Sequence, residues 1–307
     1  MILNILFIVI GIVLVLWGAD RLTDGAVAVA EKMKMPQIVI GLTIVAMGTS
    51  MPEFCVSLIS ALKGTSDLAV GNIVGSNIFN TLLIVGVSAL VAPMSIMKTT
   101  VRKDIPFALV ASALLLIMCL DGDISRIDAA ILFVMFLIFM YITLRGAKAQ
   151  GTDLEEKEKK PMATWLSVVW ILVGLACLIG GSNLFVDGAT AVATKLGVSE
   201  AVIGLTIVAG GTSLPELATS VVSARKGNSG IAIGNVLGSN VFNILAILGL
   251  TGVISPMTLK GITMTDLSMM VISIILIWLF SFTKYKIERW EGAILTAVFV
   301  GYIYSLL

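Results

Sequence analysis

The chain has 307 residues, 58% of them hydrophobic and 13% charged, with a mean hydropathy of +1.07. Soluble domains carry about 25% charged residues, so a soluble globular fold is excluded. A net charge of +1 leaves no basic surface for nucleic acid. With no histidine, zinc, copper and haem lose their usual ligand and a catalytic triad its imidazole.

The chain opens on MILNILFIVIGIVLVLWGAD. It lacks the basic stretch and small-residue cleavage site of a secretory signal, and reads as a retained first span. Ten apolar segments run in order: 2–30, 37–62, 68–91, 105–120, 127–144, 165–196, 200–224, 231–254, 266–282 and 290–306. A spanning helix needs about 20 residues, ~17 at the least. The fourth, ninth and tenth segments sit at or just under that limit. Residues 146–160, AKAQGTDLEEKEKK with the preceding glycine, are charged and poor in apolar groups, so they read as a solvated linker. Cys55, Cys119 and Cys177 stand singly in apolar runs and read as small buried hydrophobes rather than a disulfide or metal framework.

An internal repeat organises these segments. At an offset of 163 residues, GLTIVAMGTSMPE (41–53) lies on GLTIVAGGTSLPE (204–216), differing only at Met47/Gly210 and Met51/Leu214. The same offset lays GNIVGSNIFN (71–80) on GNVLGSNVFN (234–243), Asp24 on Asp187, Pro93 on Pro256 and Arg126 on Arg289. Each half therefore holds five spans: 1–145 a first five-helix repeat, 146–162 a linker, 163–307 a second. Five is odd, so the second repeat enters the membrane inverted. With the linker in the cytoplasm, the connections on its side collect fifteen lysines and arginines, against four on the other (Lys63, Arg126, Lys195, Lys260). Basic residues favour cytoplasmic loops. The expected fold is thus all-α and integral to the cell membrane, ten transmembrane helices in two inverted repeats, both termini outside.

Glu53 and Glu216 lie deep inside apolar segments. An ionised carboxylate at that depth costs at least ~2.5–3.5 kcal/mol, and such groups face a cavity with a partner. Neither motif contains a lysine or arginine to pair with them, which leaves a bound cation. Pro52 and Pro215 each remove a helical N–H and press on the carbonyl four residues back, at Gly48 and Gly211. The expected result is a broken helix with free carbonyls turned into a protein-lined cavity. Thr49 and Thr212 share a helical face with their glutamates, and Ser50 and Ser213 add hydroxyls beside them. Ser76 with Asn80, and Ser239 with Asn243, share faces on the next helix. Two carboxylates with neutral oxygens and no soft donor suit calcium or sodium, and balance one Ca2+ or two Na+. No nucleophile–base pair or phosphate loop appears, so no enzyme is expected.

The duplicated motifs GTSxPE and GNxxGSNxFN resemble the two α-repeats of the calcium:cation antiporter superfamily, and most nearly its prokaryotic sodium/calcium exchangers. The resemblance covers all ten segments. It implies exchange of Ca2+ for Na+ by alternating access. Glu53, Glu216, Thr49 and Thr212 would hold calcium. The carbonyls of Ala46 and Ala209, with Ser50, Ser213, Ser76 and Ser239 and the same Thr and Glu groups, would hold sodium, and Asn80 and Asn243 would complete the centre. Some members carry Asp where Asn243 stands, so potassium coupling and sodium stoichiometry do not follow from it. The short linker leaves no room for a cytosolic calcium-sensing domain. The partners implied are the two transported ions and membrane lipid, with no further cofactor and a monomer as the working unit. A proton/calcium exchanger needs only the two glutamates, and a cation channel is a further alternative that the inverted repeats disfavour.

Overall fold

The structure is a computed structural model that describes residues 2–150, 162–197, 209–259 and 261–306. Its helices are α1 (Ile2–Met33), α2 (Gln37–Thr49), α3 (Met51–Leu62), α4 (Ser66–Val91), α5 (Thr100–Asp121) and α6 (Arg126–Gln150). After the linker follow α7 (Thr164–Lys195), α8 (Ala209–Thr212), α9 (Leu214–Arg225), α10 (Ser229–Ile254), α11 (Met264–Ser281) and α12 (Arg289–Leu306). Among the described residues, seven helices are long and apolar enough to cross a membrane, and the pair α2–α3, bent by 48°, makes an eighth if counted as one span. The helix at the expected tenth segment, α12, carries Arg289 and Glu291 in its first turn and is not among the seven. The expected segment at 200–224 is described only from residue 209 onward, and the linker only up to Gln150, where α6 ends.

The fold is all-helical as expected, with four two-residue strands beside the helices. β1 (Met94–Ser95) pairs antiparallel with β4 (Lys286–Ile287), and β2 (Asp123–Ile124) with β3 (Met257–Thr258). Under the 163-residue offset the pair Met94–Ile287 becomes Met257–Ile124: the same ladder with the halves exchanged. Each clips the end of one half to the other.

The interior is set by composition along each helix. Every residue in the most apolar stretch of α10 is buried, against 22% in that of α1. The difference has a cause in the glycines of GNxxGSNxFN. A Cβ at Gly234 would lie 2.9 Å from the Cα of Gly41, and one at Gly238 2.7 Å from that of Leu42. Only glycine lets α10 lie this close to α2.

The outer pair, α1 and α7, run antiparallel and pack on each other along their length. Gly11, Gly18 and Gly25 face Gly181, Gly174 and Ser167 in turn, so that a Cβ at Gly18 would sit 2.8 Å from the carbonyl of Gly174. The cysteine expectation fails in part: all three are free, but only Cys119 is buried, Cys177 being half-buried and Cys55 exposed.

Candidate cation site

Both glutamates occupy the first turn of a helix that restarts. The backbone breaks at Ser50 (φ −84°, ψ 11°) and at Ser213 (φ −91°, ψ 7°), and α3 and α9 begin one residue later with Pro52 and Pro215 in the first turn. Proline is suited to that place, because the N–H it lacks would have no helical partner anyway. The break therefore falls two residues past Gly48 and Gly211, where the helix was expected to open. Its consequence is electrostatic: Glu53 and Glu216, both buried, sit at the positive end of a helix dipole.

A serine ahead of a helix normally caps its own free N–H groups. Here neither serine does so. Ser50 donates its hydroxyl instead to Glu216 Oε1 at 2.9 Å, and Ser213 donates to Glu53 Oε1 at 3.0 Å. Each half holds the other's carboxylate. The second oxygens, Glu53 Oε2 and Glu216 Oε2, are buried with no hydrogen-bond partner. Of the other buried oxygens in that condition, three stand in the duplicated GNxxGSNxFN motif: Asn80 Oδ1, Asn243 Oδ1 and Ser239 Oγ. Leaving one such group unsatisfied costs about 1–3 kcal/mol. Five on neighbouring elements of the two duplicated motifs form an acceptor set that a hard cation would complete.

The remaining expected residues are placed as follows. Ser76 Oγ lies 3.4 Å from Ser213 Oγ, inside the same group. Thr49 is buried and donates to Asn235 Oδ1 at 3.0 Å. Thr212 is partly buried, beside the Glu53 carboxyl. The Ala46 carbonyl accepts the Ser50 N–H at 3.0 Å as an ordinary helical bond, and Ala209 opens the described part of α8. The free carbonyls expected at Gly48 and Gly211 are not free. Gly48 accepts a backbone N–H where α2 ends, and Gly211 accepts the hydroxyl of Ser182 on α7.

Two site residues escaped the sequence reading. Asn72 donates to the Glu53 carbonyl (3.2 Å) and to Ser57 Oγ (3.0 Å). Asn235 makes the same pair of bonds to the Glu216 carbonyl (3.3 Å) and Ser220 Oγ (3.0 Å). These amides tie each motif helix to the helix that bears the glutamate. Their recurrence at the 163-residue offset was the available signal. Asn80 and Asn243 lie within π-turns at Phe79–Ile84 and Phe242–Leu248, a widening that collects at functional sites.

Three comparisons bear on this geometry. The sequence model of the family described as "Sodium/calcium exchanger protein" matches residues 3–145 and 166–307. The "Putative antiporter CaxA" of Alkalimonas amylolytica is 39% identical over 100% of this chain and 99% of its own. The "Sodium/calcium exchanger MaX1" of Methanosarcina acetivorans is 32% identical over 99% and 98%. A solved structure of the sodium-calcium exchanger NCX_Mj superposes with a TM-score of 0.89 at 32% identity, covering 100% of this chain and 99% of the other.

Proposed function

This chain belongs to the sodium/calcium exchanger family, and from that premise we propose that it exchanges Ca2+ for Na+ across a cell membrane at one centre between Glu53 and Glu216. The observation that carries the reading is the set of five buried, unpartnered oxygens in the duplicated motifs, one from each of the two carboxylates and three neutral. Two negative charges so placed repel each other through a poorly polarisable interior, and one Ca2+ or two Na+ neutralise them. Neutral oxygens from Asn80, Asn243 and Ser239 then raise the count toward the six to eight that calcium takes. The two ions compete for the same ligands. A centre emptied of both holds two uncompensated carboxylates, so reorientation while empty is disfavoured and exchange becomes obligatory.

Ten spans in two inverted repeats, divided at 145 and 163, suit this mechanism. Three features support them: α1 and its counterpart α7 run antiparallel, the strand pairs exchange halves under the offset, and the serine–glutamate bonds do the same. The basic-residue bias then puts the linker in the cytoplasm and both termini outside. The centre lies within one chain, so a monomer suffices. In the second reading, protons replace sodium. The three unpartnered neutral oxygens favour a metal cation, because a proton carrier has no use for them.

The experiment is calcium uptake into proteoliposomes under an imposed sodium gradient, with potassium and proton gradients as comparisons. Uptake driven by sodium alone supports the reading. Uptake driven only by protons replaces it with the alternative.

A further inference from the structure

The two ends of a carboxamide have nearly the same shape, so its orientation is set by what each end meets. For Asn80 and Asn243 this decides whether the cation meets an oxygen or an N–H group, and two further asparagines of the motif helices settle it.

Consider Asn80 first. The Thr81 hydroxyl donates to the Asn77 carbonyl at 2.6 Å, which uses its single hydrogen. Thr81 Oγ1 can then only accept, and Asn240 Nδ2, 2.7 Å away, is its donor. That fixes Asn240 Oδ1 as an acceptor, and the atom of Asn80 that meets it at 3.1 Å is Nδ2. Asn80 Oδ1 is left buried and without a partner. The same deduction runs the other way across the halves. Asn77 Nδ2 faces the Asn240 carbonyl at 3.3 Å and the Met270 sulfur at 3.9 Å, neither of which has a hydrogen to give. Asn77 Oδ1 must accept, and Asn243 Nδ2 donates to it at 3.0 Å, which leaves Asn243 Oδ1 buried and without a partner. Asn77 and Asn240 are themselves buried.

We infer that Asn77 and Asn240 are positioning residues of the ion site, each holding the opposite half's asparagine with its oxygen toward the cation. The inference rests on the exchanger reading above and names two residues that this reading did not require. Without Asn77, the Asn243 amide has no acceptor to hold its N–H groups. It then presents a donor to the cation for part of the time, which lowers affinity without removing any ligand.

The test is a pair of double-mutant cycles on equilibrium Ca2+ binding to the purified protein, Asn77→Ala with Asn243→Ala, and Asn240→Ala with Asn80→Ala. Each single variant is expected to weaken binding about tenfold, the size of one contact to a charged group. Within a crosswise pair the double variant should bind no worse than its weaker single. The same-helix pairs Asn77/Asn80 and Asn240/Asn243 should multiply their effects. A merely structural role would give no crosswise preference. Unchanged binding in Asn77→Ala and Asn240→Ala, or coupling to the same-helix neighbour instead, would overturn the inference. Should an alanine variant not fold, Asn77→Ser and Asn240→Ser, too short to reach the opposite amide, take its place. Failure of the exchanger reading is separately visible: the wild-type protein would then bind no Ca2+, or bind it without sodium-driven uptake.

Discussion

Lys226, just past the end of α9, sets its ammonium 2.6 Å from Asp20 Oδ1 on α1. The same nitrogen reaches Asp24 Oδ1 at 2.8 Å and the Asp20 carbonyl at 3.1 Å. Arg21 completes the cluster, 2.5 Å from Asp20, with its guanidinium 5.9 Å from the ring of Trp17 and 5.2 Å from that of Trp170. At the offset positions stand Lys63, Asn183 and Asp187, and among the described residues Lys63 and Asp187 form no ion pair. One end of the α1–α7 pair is tied to α9, and the corresponding tie at the other end is open.

By the proposed orientation this tie holds the cytoplasmic side closed. Lys226→Met should release it. The two pairs lost are about one-third exposed, so each is worth at most ~1 kcal/mol, and the shift in conformer populations stays under about thirtyfold. In proteoliposomes of uniform orientation, the variant's half-saturating Ca2+ should fall on the linker side and rise on the other. Identical values on both sides would show that the cluster only solvates the helix ends.

A second contact tests movement of α1 against α9. The hydroxyls of Thr23 and Ser223 lie 2.9 Å apart, both buried. Thr23→Cys with Ser223→Cys, in a background lacking Cys55, Cys119 and Cys177, places two thiols at bonding reach. Oxidation should stop exchange and reduction restore it, while Ca2+ binding to the purified protein persists. Full-rate exchange by the oxidised form would mean that α1 does not move against α9 during transport.

The glycine seam makes a sharper contrast. Gly180 and Gly181 adjoin in sequence, yet only Gly181 lies in the seam, a Cβ there falling 2.8 Å from the Gly11 carbonyl, while Gly180 meets nothing within 4 Å. Gly181→Ala should cost about 1–3 kcal/mol through forced separation of α1 and α7. Gly180→Ala should leave the unfolding temperature and the exchange rate near wild type. Equal effects in thermal unfolding would put the seam elsewhere.

Much of the site could be read from the chain because it breaks the chain's own rule. A carboxylate in an apolar helix is costly, and finding it twice at one offset left Glu53 and Glu216 as the chemistry, with Thr49, Ser50 and their counterparts beside them. What could not be read depends on how the halves dock. Nothing local to Ser50 says that its hydroxyl leaves its own helix end for Glu216, 166 residues away. Nor does the chain say that its long first and sixth segments pack on each other, where glycines seven apart on both form one seam. Pro52 signalled a break but not its position: the proline starts the new helix, so the chain opens at Ser50 instead of Gly48.

In the proposed mechanism one centre serves both ions and both halves, and equilibrium Ca2+ binding to the purified protein under increasing Na+ measures it most directly. Wild type should bind one Ca2+ per chain, displaced competitively by Na+. Glu53→Gln and Glu216→Gln should each abolish that binding, because a lone carboxylate leaves a divalent ion half-compensated in a dry interior. Ca2+ binding near wild type in either variant, or binding that Na+ does not displace, would contradict it.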